Sequence, residues 1–119
     1  DSLNNLNNKI DINSHTLRVS ASKGQFFNRG VSDTTLEAHL FKNNDEITDK
    51  YNPECFVWKR KSFDSSSDTY WNEQHSDGTK KITITRADVM YGANFSCTFT
   101  YNGETITSLA TTIKQLRRT

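Results

Sequence analysis

The chain has 119 residues, 33% of them apolar, and a net charge of +1. That length supports one domain with a modest core and not two. The balanced charge provides no field to attract nucleic acid or a membrane surface, and no apolar run reaches the length of a membrane span.

No signal peptide is evident. The first residue is Asp rather than Met, so the chain is expected to be a fragment or processed product of something longer. Seven Phe, four Tyr and two Trp supply much of the bulk among abundant Ser, Thr and Asn, with a single proline. This profile suits a small all-β domain with solvated outer faces.

Residues 1–14 stand apart. Leu3, Leu6 and Ile10 fall at the spacing of a heptad seam, with Asn and Lys between them. The stretch reads either as the end of a coiled helical stalk or as an Asn-rich linker. Residues 15–114 form the domain proper, and 115–119 a C-terminal tail. Leu17, Val19 and Ala21 alternate in a first strand over Thr16 to Ala21. Gly24 breaks it, Gln25-Phe26-Phe27 resumes the edge, and Asn28-Arg29-Gly30 is a turn. Thr34 to Lys42 is a second strand with Leu36, Ala38 and Leu40 inward and Glu37 and His39 outward. Asn43 to Pro53 is polar and turn-rich around Ile47. Glu54 to Lys61 is a third strand centred on Trp58.

Ser62 to Thr69 reads as a Ser/Asp loop, Tyr70-Trp71 as the start of a short strand, and Asp77-Gly78 as a turn. Lys80 to Thr85 is a strand with Ile82 and Ile84 alternating, and Arg86 to Gly92 crosses over. The clearest signal comes last. Phe95, Cys97 and Phe99 alternate with Ser96, Thr98 and Thr100, and Asn102-Gly103 suits a type I′ turn into a final strand that includes Ile106 and Ile113. About seven short strands with regular turns predict an antiparallel β-sandwich. Its core would rest on Trp58, Phe95, Cys97, Phe99, Ile82, Ile84, Leu36 and Leu40. Cys97 points inward, whereas Cys55 has the opposite parity to Phe56 and Trp58. A disulfide between them is therefore not expected, and two free thiols fit a reducing compartment.

Trp58 on the third strand, Asp88 in the crossing connection and Phe95-Ser96-Cys97 together resemble an immunoglobulin-like pattern. The sixth-strand Tyr is replaced by Phe95, and the second-strand Cys by Leu36, Ala38 or Leu40, so the disulfide of extracellular immunoglobulin domains is absent. The run from Leu17 to Ile113 is similar to immunoglobulin-like modules in tail proteins (minor structural, tail-tip and fibre-like) of phages and prophages of Gram-positive bacteria. The resemblance is carried by Leu17 to Gly24, the Leu36 to Thr48 strand and loop, Phe56 to Arg60, Trp71-Asn72, Lys80 to Val89 and Phe95 to Phe99. It implies a non-catalytic spacer within the virion, assembled in the bacterial cytoplasm. Partners would be other tail proteins, and the upstream coil would make the parent protein oligomeric. The alternative is an adhesin domain that binds carbohydrate or a receptor on the Gram-positive envelope.

No cofactor is implied. His15, His39 and His75 form no ligand pair at short spacing, so no metal site is expected. Asp64 to Asp68 offers two carboxylates and three hydroxyls, but it lacks the glycine and bidentate glutamate of a calcium loop. No serine sits in a nucleophile elbow, and Asp45-Glu46 lies in a turn-like region, so an enzyme is not expected. Lys59-Arg60-Lys61 and Lys80-Lys81 read as solvated faces. Asn94-Phe95-Ser96 matches a glycosylation acceptor, but its place on a central strand of a bacterial product predicts no modification. Tyr51, Tyr70, Trp71 and Tyr91 are the candidate glycan contacts, since aromatic faces complement the apolar face of a sugar ring.

Overall fold

The computed structural model describes residues 15–27, 30 and 32–115. The stalk-or-linker stretch 1–14, part of the Asn28 to Gly30 turn and most of the tail lie outside the described residues. Nine strands form two sheets. In the first, β1 (His15–Ala21) pairs with β3 (Asp33–Lys42), which also pairs with β4 (Asp45–Glu46) and β6 (Lys81–Thr85). In the second, β5 (Phe56–Lys61) pairs with β7 (Gly92–Tyr101), and β7 pairs with β8 (Glu104–Thr107) and β9 (Thr111–Gln115). The two-residue β2 (Phe26–Phe27) runs parallel to β9. Among the described residues two α-helices lie between strands, α1 (Ser65–Gln74) and the single turn α2 (Arg86–Val89), and two 3-10 turns, Thr48–Lys50 and Pro53–Cys55, precede β5.

Strands one, three and six face strands five, seven and eight-to-nine. This is the A-B-E against C-F-G connectivity of an immunoglobulin-like sandwich, with α1 taking the place of a D strand in sequence but packing on the edge of β5. The alternation of each strand determines what lies between the sheets. Leu36, Ala38 and Leu40 on β3 and Ile82 and Ile84 on β6 meet Phe56 and Trp58 on β5 and Phe95, Cys97 and Phe99 on β7. All of these are buried. Trp58 lies opposite Cys97 in the register, and its indole Nε1 donates to the Thr79 carbonyl at 2.7 Å, so the buried ring leaves no polar atom unmet. Cys55 and Cys97 are both free thiols.

The Asn102-Gly103 turn has φ of 51° and 82°, the doubly positive geometry of a type I′ hairpin. The strand that follows is not continuous. At Ser108 to Ala110 it leaves the ladder, with the Ser108 amide donating to the Cys97 carbonyl and the Cys97 amide donating to Ser108 Oγ. Leu109 projects into solvent, 90% exposed.

A second difference is larger. The expected Ser/Asp loop and the short strand at Tyr70-Trp71 are together the helix α1. Asp64 caps it by accepting from the Ser67 amide. Its buried positions are Asp68 and Trp71, followed on the same face by half-buried Asn72 and His75. That face has helical spacing but is mostly polar, so an apolar period does not reveal it.

The chain's course is simple. Leu17 to Val19 of β1 lie beside Ile106 to Thr111, and further along Phe26 and Phe27 pair with Lys114 and Gln115. β1 and β2 therefore advance in the same direction as β8 and β9, and His15 and Gln115 lie at opposite ends of the sandwich.

Two substitutions test this packing by chemical denaturation. Trp58→Ala is expected to cost about 3–5 kcal/mol. Gly78→Ala is expected to cost more than about 1 kcal/mol, because Gly78 has φ +90° and an added Cβ would lie 2.7 Å from the Glu54 Cα.

Candidate functional site

Inward parity on β5 continues past Trp58 to Arg60, which is 4% exposed. This corrects the reading of Lys59-Arg60-Lys61 as a solvated run; only the two lysines face outward. A guanidinium in such a place needs all its donors met. Nε donates to Asp68 Oδ1 at 2.7 Å, one terminal nitrogen to the Asp88 carbonyl at 3.0 Å, and the other to Ser67 Oγ at 2.6 Å. The guanidinium also lies 5.8 Å from the centre of the Trp71 ring, within cation–π range. Asp68 in turn accepts from the Ser62 amide and hydroxyl. Burial opposes its ionisation, but the Ser62 amide, the Ser62 hydroxyl and Arg60 outweigh that and hold its carboxyl below the usual range. The neighbouring core has the opposite effect on Cys97, whose thiol burial pushes up to about 12.

The same helix covers the outer edge of β5. The Arg60 amide, which points away from β7, donates to Asn72 Oδ1 at 2.8 Å, so an open strand edge is covered. Trp71 packs against Phe95, stacks on His75 with ring centres 3.7 Å apart, and donates to Asp88 Oδ1 at 2.9 Å. Asp88 also closes a capping box with Thr85.

The four candidate glycan contacts do not form one surface. Trp71 is buried in this network, which removes its face from solvent. Tyr51 is half-buried, edge-on to Phe99 and Tyr101 near the Asn102 turn. Tyr91 precedes the other end of β7. Tyr70 and Tyr91 are exposed, at 66% and 70%. An aromatic that the sequence did not single out, Phe63, is 71% exposed and lies 6.1 Å from Tyr91 between ring centres.

A second polar cluster lies on the outer face of the first sheet. Ser20 Oγ is 2.9 Å from His39 Nε2, and His39 Nδ1 is 2.8 Å from Glu46 Oε2. Glu46 belongs to β4, which pairs with the end of β3, rather than to an unstructured turn. Thr48 Oγ1 donates to the same Glu46 oxygen and accepts from the Leu40 amide. The bonds from His39 and Thr48 hold the Glu46 carboxyl below its ordinary range. A carboxylate only accepts, so Nδ1 donates to Glu46, and in the neutral imidazole Nε2 presents its lone pair to the Ser20 hydroxyl. Sequence inspection missed the cluster because its members come from three strands. The one available signal was that Ser20 and His39 are both outward on neighbouring strands.

Among the described residues no three His, Cys, Asp or Glu side chains converge on a metal position. Both Asp68 oxygens are engaged by Arg60 and Ser62, so Asp64 to Asp68 presents no open cation loop. An open groove of about 600 Å³ separates β1 from the β8–β9 break, floored by Leu17, Val19 and Ile106. Compared with known proteins, the chain matches no family model, no curated protein and no solved structure.

Replacing Asp68 by Asn removes the only carboxylate on Arg60 while keeping its size. The loss is expected to be about 3–5 kcal/mol, because a buried cation is left unpaired. The pH dependence has a definite sign. The folded-state value of Asp68 is depressed, so its contribution is complete above the unfolded carboxylate value of about 3.9 and is lost as pH falls through the lower folded value. Urea melts across the acid range should therefore show a steeper acid loss in the native chain than in Asp68→Asn.

Proposed function

We propose that this chain is a structural module of a phage or prophage tail protein, a spacer in a rod-like tail component. The observation that carries this reading is the path of the chain. It runs into the sandwich at His15 and out at Gln115, at opposite ends, because β1 and β2 advance alongside β8 and β9. A module threaded end to end adds its own length to a rod, whereas one with adjacent ends hangs from it. The disulfide-free core fits assembly in the bacterial cytoplasm. The resemblance of Leu17 to Ile113 to tail-protein modules points the same way. Partners would be neighbouring tail proteins.

A second reading, an adhesin domain for envelope carbohydrate or a receptor, draws on one feature. Phe63 and Tyr91 form an exposed aromatic pair, the type of surface on which sugar rings stack.

One pair of measurements separates the two. Antibodies raised against the domain should decorate the tails of phage particles from Gram-positive hosts. The labelled domain should not bind host cells or purified wall polysaccharide saturably. Saturable binding that is lost in a Phe63→Ala, Tyr91→Ala variant would replace the spacer reading with the adhesin one. Failure to decorate tails would remove the tail assignment altogether.

A further inference from the structure

We propose that Ser20, His39 and Glu46 form an acyl-transfer centre on the outer face of the first sheet, acting on carboxylic esters. The inference goes beyond the spacer reading and does not depend on it. Its basis is an ordered relay: a hydroxyl 2.9 Å from the free ring nitrogen of a histidine whose other nitrogen is fixed at 2.8 Å by a carboxylate. Nucleophile, base and orienting acid are recognised by this geometry and not by sequence order.

A purely structural role accounts for only half of the cluster. Thr48 already fastens Glu46 to β3 through the Leu40 amide, and the backbone pairing of β4 holds the hairpin. Ser20 lies on a different strand and adds nothing to that fastening, yet its hydroxyl is directed at Nε2. Two further features lie on the same face. Arg18 sits opposite His39 in the register, and its guanidinium lies 5.8 Å from the centre of the Phe41 ring on the same face. It leans toward Phe41, which lies opposite Thr16, rather than toward Ser20. A hollow of about 190 Å³ opens beyond Arg18, lined by Thr16, Arg18, Phe41, Asn43 and Asn44; Ser20, His39 and Glu46 stand outside it, on open surface.

The reaction balances without a co-reactant other than water. Ser20 Oγ attacks the ester carbonyl carbon as its proton passes to His39 Nε2. The ester C–O bond breaks, and the leaving alkoxide takes that proton. Water then gives a proton to Nε2 and attacks the acyl-serine, and Ser20 Oγ recovers the proton as the carboxylic acid departs. Because the face is open to solvent, the charges act in a high dielectric. Turnover is therefore slow, and with an ester whose leaving group departs readily, acylation outruns hydrolysis and the acyl-enzyme accumulates.

The test uses p-nitrophenyl acetate as the probe, following nitrophenolate release and locating the acetyl group by peptide mass spectrometry. A burst with the acetyl group on Ser20 is expected. Ser20→Ala should abolish both, and His39→Gln should slow acylation about 100-fold. Circular dichroism checks that each variant is folded, as expected for side chains on an outer face. Acetyl groups found only on lysines, a burst unchanged in Ser20→Ala, or no release beyond that of His39→Gln would each overturn the proposal.

Discussion

A guanidinium inside a disulfide-free sandwich is the constraint on which this molecule depends. Arg60 occupies an inward position on β5, next in line after Phe56 and Trp58. An isolated charge there would be prohibitively unfavourable. The fold meets that requirement by bringing α1 and α2 against the sheet. Asp68 and Ser67 come from α1, and the Asp88 carbonyl from α2. Among the described residues no buried side-chain nitrogen or oxygen lacks a partner. The consequence is positional. Whatever holds Asp68 in place also holds Trp71 over Phe95 and Asn72 on the open edge of β5. The helix thus acts as the side wall that closes one margin of the sandwich. Extracellular immunoglobulin domains cross-link their sheets covalently; here Cys97 is a free thiol buried in an apolar core.

The same arrangement separates the molecule's tasks. Its interior and the β5 margin maintain shape. The chain enters and leaves the sandwich at His15 and Gln115, on opposite ends. The exposed outer faces are then free to carry chemistry without weakening the core. The Ser20, His39 and Glu46 relay lies on one such face, away from the Arg60 network, so changes in one cluster should not propagate to the other. The exposed Phe63 and Tyr91 pair lies apart from the core as well.

The strands were legible because a half-buried sheet imposes a period of two, and β3, β6 and β7 obey it over their whole length. The Asn102-Gly103 turn was legible because positive φ at two successive positions selects those residues. The helix α1 was not, since the side chains it buries include Asp68, which hydropathy scores as surface. Arg60 was misplaced for the same reason. Its parity with Trp58 was visible, but two flanking lysines suggested a solvated run. Aromatic identity was a poor guide to exposure: Trp71 is enclosed by partners distant in sequence, while Phe63 stands in the open. The relay could not be read at all, because only the β1–β3 register and the β4 hairpin bring its three members together.

The central claim is that Arg60 and Asp68 act as one unit clasping α1 to the sheet. A double-mutant cycle with Arg60→Met and Asp68→Leu, measured by urea denaturation, tests it most directly. The account predicts a coupling energy of about 1–3 kcal/mol, with the double variant more stable than either single one, because neither then leaves a buried charge alone. Additive losses, with coupling near zero, would mean that the two residues are held independently and that the clasp does not exist.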